Sequence, residues 1–116
     1  MSHIKTKKVY FVNEKIKRIY DELENGRSEE KELYSLINRA IDALEENPSR
    51  FISIPRKQWP KEYIKKFDIK NLWKYDLPNG WRIIYTIKGN NIEIISVVLE
   101  WITHKDYERK FGYKRS

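Results

Sequence analysis

NLWKYDLPNGWRIIYTIKGNNIEIISVVLEW, residues 71–101, decides the fold of this 116-residue chain. Apolar and polar residues alternate along it, the period of a half-buried strand. Turn residues cut the alternation twice, at Pro78-Asn79-Gly80 and at Gly89-Asn90. Three strands are therefore predicted, Leu72 to Leu77, Trp81 to Lys88 and Ile92 to Glu100, joined as an antiparallel meander by a three-residue loop and a two-residue turn. In that register Trp73, Tyr75, Leu77, Trp81, Ile83 and Tyr85 share one face with Ile87, Ile92, Ile94, Ser96 and Val98. The opposite face carries Lys74, Asp76, Arg82, Ile84, Thr86, Glu93, Ile95, Val97, Leu99 and Trp101, a mixture too apolar to be left in water.

On the N-terminal side, Lys8 to Val12 reads as an opening strand and Asn13 as a helix N-cap. Ile16, Ile19, Tyr20 and Leu23 follow helical spacing, which predicts a helix over Glu14 to Asn25 stopped by a left-handed Gly26. A second helix, capped by Ser28 and ended by Asn47-Pro48, carries Leu33, Leu36, Ile37, Ala40, Ile41 and Leu44 as one stripe. With so short a link, the two helices form a hairpin whose apolar faces meet the first face of the meander. Pro48 to Lys70 reads as a basic connector with a brief apolar run at Phe51 to Ile54 and a short helix begun by Pro60. C-terminal to the meander, Thr103 and Asp106 resemble a capping box, and Tyr107 and Phe111 lie one helical turn apart before Gly112. That last helix is the candidate cover for the second sheet face. The expectation is one α+β domain spanning residues 1–116: an antiparallel sheet of the N-terminal strand and the meander, packed on a two-helix hairpin, with a short C-terminal helix.

Composition sets the chemistry that is open. Hydrophobic residues at 40% and aromatics at 14% suffice for a core although 35% of residues are charged. There is no cysteine, so disulfides, thiolate metal sites and a cysteine nucleophile are excluded. His3 and His104 belong to no ligand-spaced cluster, and neither a metal nor another cofactor is expected. No apolar run is long enough to span a bilayer, and Met1 to Lys8 is charged rather than signal-like, so no membrane association and a cytoplasmic location are expected. The formal charge of +7 is segregated. Asp21 to Glu46 holds nine acidic residues against three basic, Arg50 to Lys70 seven basic against two acidic, and Lys105 to Arg115 five basic against two acidic. Such a chain can offer a polyanion a one-sided basic surface, or simply carry a solvated lysine-rich face.

The order strand, two helices, three-stranded meander and short helix resembles that of the RelE/ParE superfamily of type II toxin–antitoxin toxins. Leu72-Trp73-Lys74-Tyr75-Asp76, followed after a loop by Gly80-Trp81-Arg82-Ile83-Ile84-Tyr85, is similar to the family's paired strands, with an aromatic-Arg-aliphatic-aliphatic-Tyr signature on the second. His104-Lys105-Asp106-Tyr107 looks like its C-terminal His-basic-x-x-aromatic region with the aromatic one place early. Pro48 to Lys70 is not matched. The resemblance implies a cognate antitoxin partner and, for nuclease members, metal-independent cleavage of mRNA on the ribosome by attack of the RNA 2′-hydroxyl. Carried over, Arg82 would stabilise phosphorane charge with help from Lys74, His104 would move protons, and Tyr107 would stack on a base or donate a proton. Lys105 and Arg109 would hold the RNA backbone.

Asp76 departs from the pattern, because active relatives often have a second basic residue there and its charge repels phosphate. Whether the chain is an active enzyme, and its oligomeric state, stay open. Each assignment has a plainer alternative: Arg82 as a cross-strand partner of Asp76, His104 in solvent on a terminal helix, Tyr107 and Phe111 as packing, and Lys61, Lys65 and Lys66 as a solvated face. Two other functions remain: a ParE-like toxin that binds a protein target such as DNA gyrase, and a basic nucleic-acid-binding module without toxicity.

Overall fold

Alternation in residues 73–103 produces the meander in the computed structural model, which describes residues 5–112. His3, the first residues of the Met1 to Lys8 stretch, and Lys114 and Arg115 of the basic C-terminal segment lie outside the described residues. The elements are β1 (Thr6–Phe11), α1 (Glu14–Leu23), α2 (Ser28–Glu46), β2 (Ile52–Ser53), α3 (Lys61–Phe67), β3 (Trp73–Asp76), β4 (Trp81–Gly89), β5 (Glu93–Thr103) and α4 (His104–Phe111). Single 3₁₀ turns at Pro48–Arg50 and Arg56–Gln58 flank β2. The strand order is β1-β5-β4-β3-β2.

The α+β architecture and the helix hairpin match the expectation, with four differences of detail in the sheet. The sheet is mixed, because β1 runs parallel to β5, from Thr6 opposite Glu93 to Phe11 opposite Val98, while the other pairs are antiparallel. The helix hairpin and β2, β3 and β4 all intervene between β1 and β5, so no tight turn links the two strands and a parallel pairing is open to them. The connector also supplies a fifth strand: Ile52 and Ser53 pair with Lys74 and Trp73, and Ile54 N–H donates to the Leu72 carbonyl at 2.8 Å. Two residues are too few for periodicity to register.

The third difference is a bulge in β5. Tyr85 pairs with Val98 but Ile84 pairs with Glu100, so Leu99 is the extra residue. A bulge advances the strand by one and reverses the facing of every residue beyond it. Trp101, expected on the second face, therefore packs with the hairpin core, and Ile102 takes the second face. The fourth lies at the last turn. Asn90 N–H bonds the Glu93 carbonyl, the Asn90 side chain accepts from the N–H groups of Ile92 and Glu93 at 2.7 and 2.8 Å, and Ile92 sits in the loop, 72% exposed, instead of in the core. Asn prefers such side-chain-closed turns.

At the helix ends, Asn13 caps α1 as expected, its Oδ1 accepting from Ile16 N–H at 2.9 Å. Ser28 is the first residue of α2, not its cap; Arg27 takes the cap position and its N–H donates to Glu30 Oε1 at 2.8 Å. Gly26 is not left-handed. Its requirement is space, since a Cβ there would meet the Cβ of Glu30 at 2.8 Å.

Two cores result. On one face α1 and α2 bury Ile37, Leu44, Ile83, Tyr85 and Val98 completely, and the Tyr85 hydroxyl donates to the Pro48 carbonyl at 2.5 Å. Burial pushes the Tyr85 phenol above its ordinary range. On the other face α3 and α4 together cover Ile84, Leu99 and Ile102 with Ile54, Tyr63, Tyr107 and Phe111. The predicted C-terminal cover is thus half of the lid, and the helix begun by Pro60 is the other half.

Candidate active site

Strand alternation on β3 and β4 points Lys74, Asp76 and Arg82 away from the helix hairpin, and Asp76 stands directly opposite Arg82. The Asp76 carboxylate accepts from Arg82 Nε at 2.9 Å and from Lys74 Nζ at 3.2 Å. Both basic side chains are mostly covered, at 15% exposure, whereas Asp76 is 44% exposed.

The cleft is closed by the start of α4. Thr103 Oγ1 accepts from Asp106 N–H at 3.1 Å, and His104 N–H donates to the Gly80 carbonyl at 2.9 Å. That second bond ties the helix to the β3–β4 loop, where Gly80 has φ of +90°, a left-handed value that favours glycine. His104 is thereby held over Arg82, whose Nη1 donates to His104 Nδ1. A guanidinium has only donors, so Nδ1 is the acceptor and Nε2 carries the imidazole proton, which faces Glu108 Oε2 at 3.1 Å.

Tyr107 lies beneath this group. Its ring has the Lys74 ammonium and the Arg82 guanidinium each 5.0 Å from its centroid, and it stacks on Phe111 at 4.4 Å. Tyr107 is buried, so Phe111 already occupies the place a stacked base would take on one side. Beside it runs a cleft of about 200 Å³ lined by Ile54, Gln58, Lys74, Tyr107 and Glu108, so the connector walls the site.

Arg82, Lys74, His104 and Tyr107 therefore converge. Lys105 is exposed on the same helix, one residue after His104. Arg109 does not join them: it pairs with Asp106 at 3.2 Å and lines a separate hollow with Glu62, Glu100 and Lys110. In that region the Glu100 carboxylate accepts from the Tyr63 hydroxyl and from Lys110 Nζ, the latter at 2.9 Å. Burial and the Glu100 charge push the Tyr63 phenol well above its ordinary range. For Lys110, burial disfavours the charge, but the bonds and charges of Glu100 and Glu62 outweigh it and the amine is raised.

Sequence reasoning did not single out Glu108, although its place four residues after His104 puts the two on one helix face. The Glu100–Lys110–Tyr63 network carried no readable signal, because the bulge at Leu99 is what turns Glu100 toward α4.

The sequence model of one family, described as "ParE toxin of type II toxin-antitoxin system, parDE", matches residues 12–99. The match contains Lys74, Asp76 and Arg82 and ends before His104, Tyr107 and Glu108. No curated protein and no solved structure matches.

Proposed function

This chain belongs to the ParE toxin family of type II toxin–antitoxin systems, and from that premise we propose that it is a metal-independent endoribonuclease acting on mRNA at the ribosome. The family carries with it a cognate antitoxin as partner. The observation that carries the nuclease reading is the Arg82–His104 contact, a guanidinium against an imidazole nitrogen on the sheet face away from the hairpin.

The chemistry is cyclising transesterification. The 2′-oxygen bonds to the adjacent phosphorus, the P–O5′ bond breaks, the 2′-hydroxyl proton leaves to a base, and the 5′-oxygen gains a proton from solvent water. When the substrate phosphate draws Arg82 onto its oxygens, His104 Nδ1 is released to accept the 2′-hydroxyl proton. Glu108, facing Nε2–H, stabilises the imidazolium so formed. Lys74 adds positive charge at the phosphate. Tyr107 carries the two cations on its ring and so acts as a floor for them. Asp76 opposes the phosphate and must be displaced from both cations. Lys105 and, further round the helix, Arg109 attract the RNA backbone from outside the cleft.

A second reading has specific support: the matching family is described as ParE, and Asp76 already pairs with both Lys74 and Arg82 and offsets one of their two charges. In that reading the protein binds a protein target such as DNA gyrase and leaves RNA intact. Induced expression separates the two. Growth arrest with cut translated mRNA and unchanged plasmid supercoiling supports the nuclease, whereas arrest with intact mRNA and altered supercoiling overturns it.

A further inference from the structure

The cleft beside Lys74 does not end at α4. Gln58, Phe111 and Gly112 line both it and a larger hollow, and the larger one is walled by Lys57, Trp59 and Lys61. Through these shared residues the two make one groove, running from Lys74, whose ammonium shares the Tyr107 ring with Arg82, past the last turn of α4, to Trp59 and the start of α3.

The distal end differs in charge state from the proximal one. Lys74 and Arg82 are both bound by Asp76, whereas Arg56, Lys57 and Lys61 are exposed and have no ion pair among the described residues. The acidic lining residue there, Glu62, faces Lys110 at 3.5 Å. Trp59 is fixed by its indole N–H, which donates to the Ile54 carbonyl at 2.8 Å, and the Arg56 guanidinium lies over its ring at 5.0 Å. An indole held in place on the groove wall, with a guanidinium packed over it, is a surface on which a base can stack, while the flanking Lys57 and Lys61 meet phosphates.

We propose that this groove is a track for single-stranded RNA, in which Lys57 and Lys61 hold the backbone of nucleotides beyond the one bound at Arg82, and Trp59, backed by Arg56, provides a stacking platform. The proposal rests on the RNA reading above and gives the connector between α2 and β3 a role in substrate binding. Length of substrate then matters, since a dinucleotide reaches the Arg82 end but not the distal lysines.

The test measures binding of a single-stranded RNA oligonucleotide bearing 2′-O-methyl groups throughout, so that it cannot be cut, across a range of salt. Three proteins are compared: wild type, Lys57→Ala/Lys61→Ala, and Lys31→Ala/Arg39→Ala, which removes the same charge from exposed positions on α2. Circular dichroism and melting establish that all three fold. The expected result is a dependence of log affinity on log salt that is shallower by about 1.4 in the first variant, about 0.7 for each single-strand phosphate no longer neutralised, and unchanged in the second. An equal slope in wild type and Lys57→Ala/Lys61→Ala overturns the track, as does an equal loss in both variants, or a wild type that binds duplex DNA with the same dependence on Lys57 and Lys61. Cleavage of unmodified RNA is scored separately. A wild type that binds with the expected slopes but never cuts removes the nuclease reading and leaves the track standing.

Discussion

The Asp76 carboxylate accepts from Arg82 and Lys74 together, and this sets the electrostatics of the cleft. A phosphate entering must compete with a carboxylate that is itself 44% exposed, so the competition is with a partly solvated ion pair and not a deeply buried one. Pairs of that kind contribute about 0.2–1 kcal/mol. Asp76→Asn keeps the shape and removes the charge, and RNA affinity is expected to rise by up to about fivefold, measured by titration with an uncleavable oligonucleotide; a fall would show that Asp76 orients Arg82 productively. At Asn71 the side chain stands in for a strand backbone: Oδ1 accepts from Ile87 N–H at 2.7 Å and Nδ2 donates to the Ile87 carbonyl at 2.8 Å, extending the β3–β4 ladder past Trp73. Asn71→Ala leaves both Ile87 groups unmatched, at an expected cost of about 1–3 kcal/mol in urea unfolding. An unchanged midpoint would mean that water replaces the amide.

At the scale of elements, α4 is the part on which the site depends. It carries His104, Tyr107 and Glu108, and it is docked by Phe111 in the second core and by Lys110 against Glu100 and Glu62. The Lys110 amine is raised in the folded state, so its contribution to stability is fully present below the unfolded value of about 10.4 and is lost as pH rises through the higher folded value. Urea unfolding of wild type and Lys110→Met is therefore expected to show a stability gap that is constant from neutral pH to about pH 10 and narrows above it. A gap that stays constant into the alkaline range would assign the loss to packing of the side chain's stem. The helices were legible in the sequence because their apolar residues recur at three and four, and Asn13, Thr103 and Gly112 mark their ends. The meander was legible for the same kind of reason, through period two and the loop at Pro78-Asn79-Gly80. β2 was not, being two residues long, and neither was the bulge at Leu99, since an extra residue between Val98 and Glu100 leaves an apolar run that reads equally well without it. That single slip misplaced Trp101 and hid Glu100. The Arg82–Asp76 pairing depends on the β3–β4 register, which the bulge in β5 does not touch, and so that pairing was legible.

For the whole molecule, the sheet separates an acidic flank from a basic one. α1 and α2, which contain the acid-rich stretch, cover one face; α3 and α4, with the basic connector, cover the other, where Arg82 lies. That distribution of charge would steer a polyanion toward the second flank. The cores make the two flanks separable by mutation. Ile37 is completely buried under the hairpin, and Ile37→Ala is expected to cost about 2–5 kcal/mol of stability while the folded fraction keeps its activity. A proportionate loss of activity per folded molecule would mean that the hairpin also shapes the cleft. Action of the Arg82 guanidinium on RNA is measured by cleavage of translated mRNA by purified wild type and Arg82→Ala at equal folded concentration. Loss of about 10²–10³-fold in rate is predicted, the effect of deleting one preorganised charge donor; cutting by Arg82→Ala at the wild-type rate would contradict it.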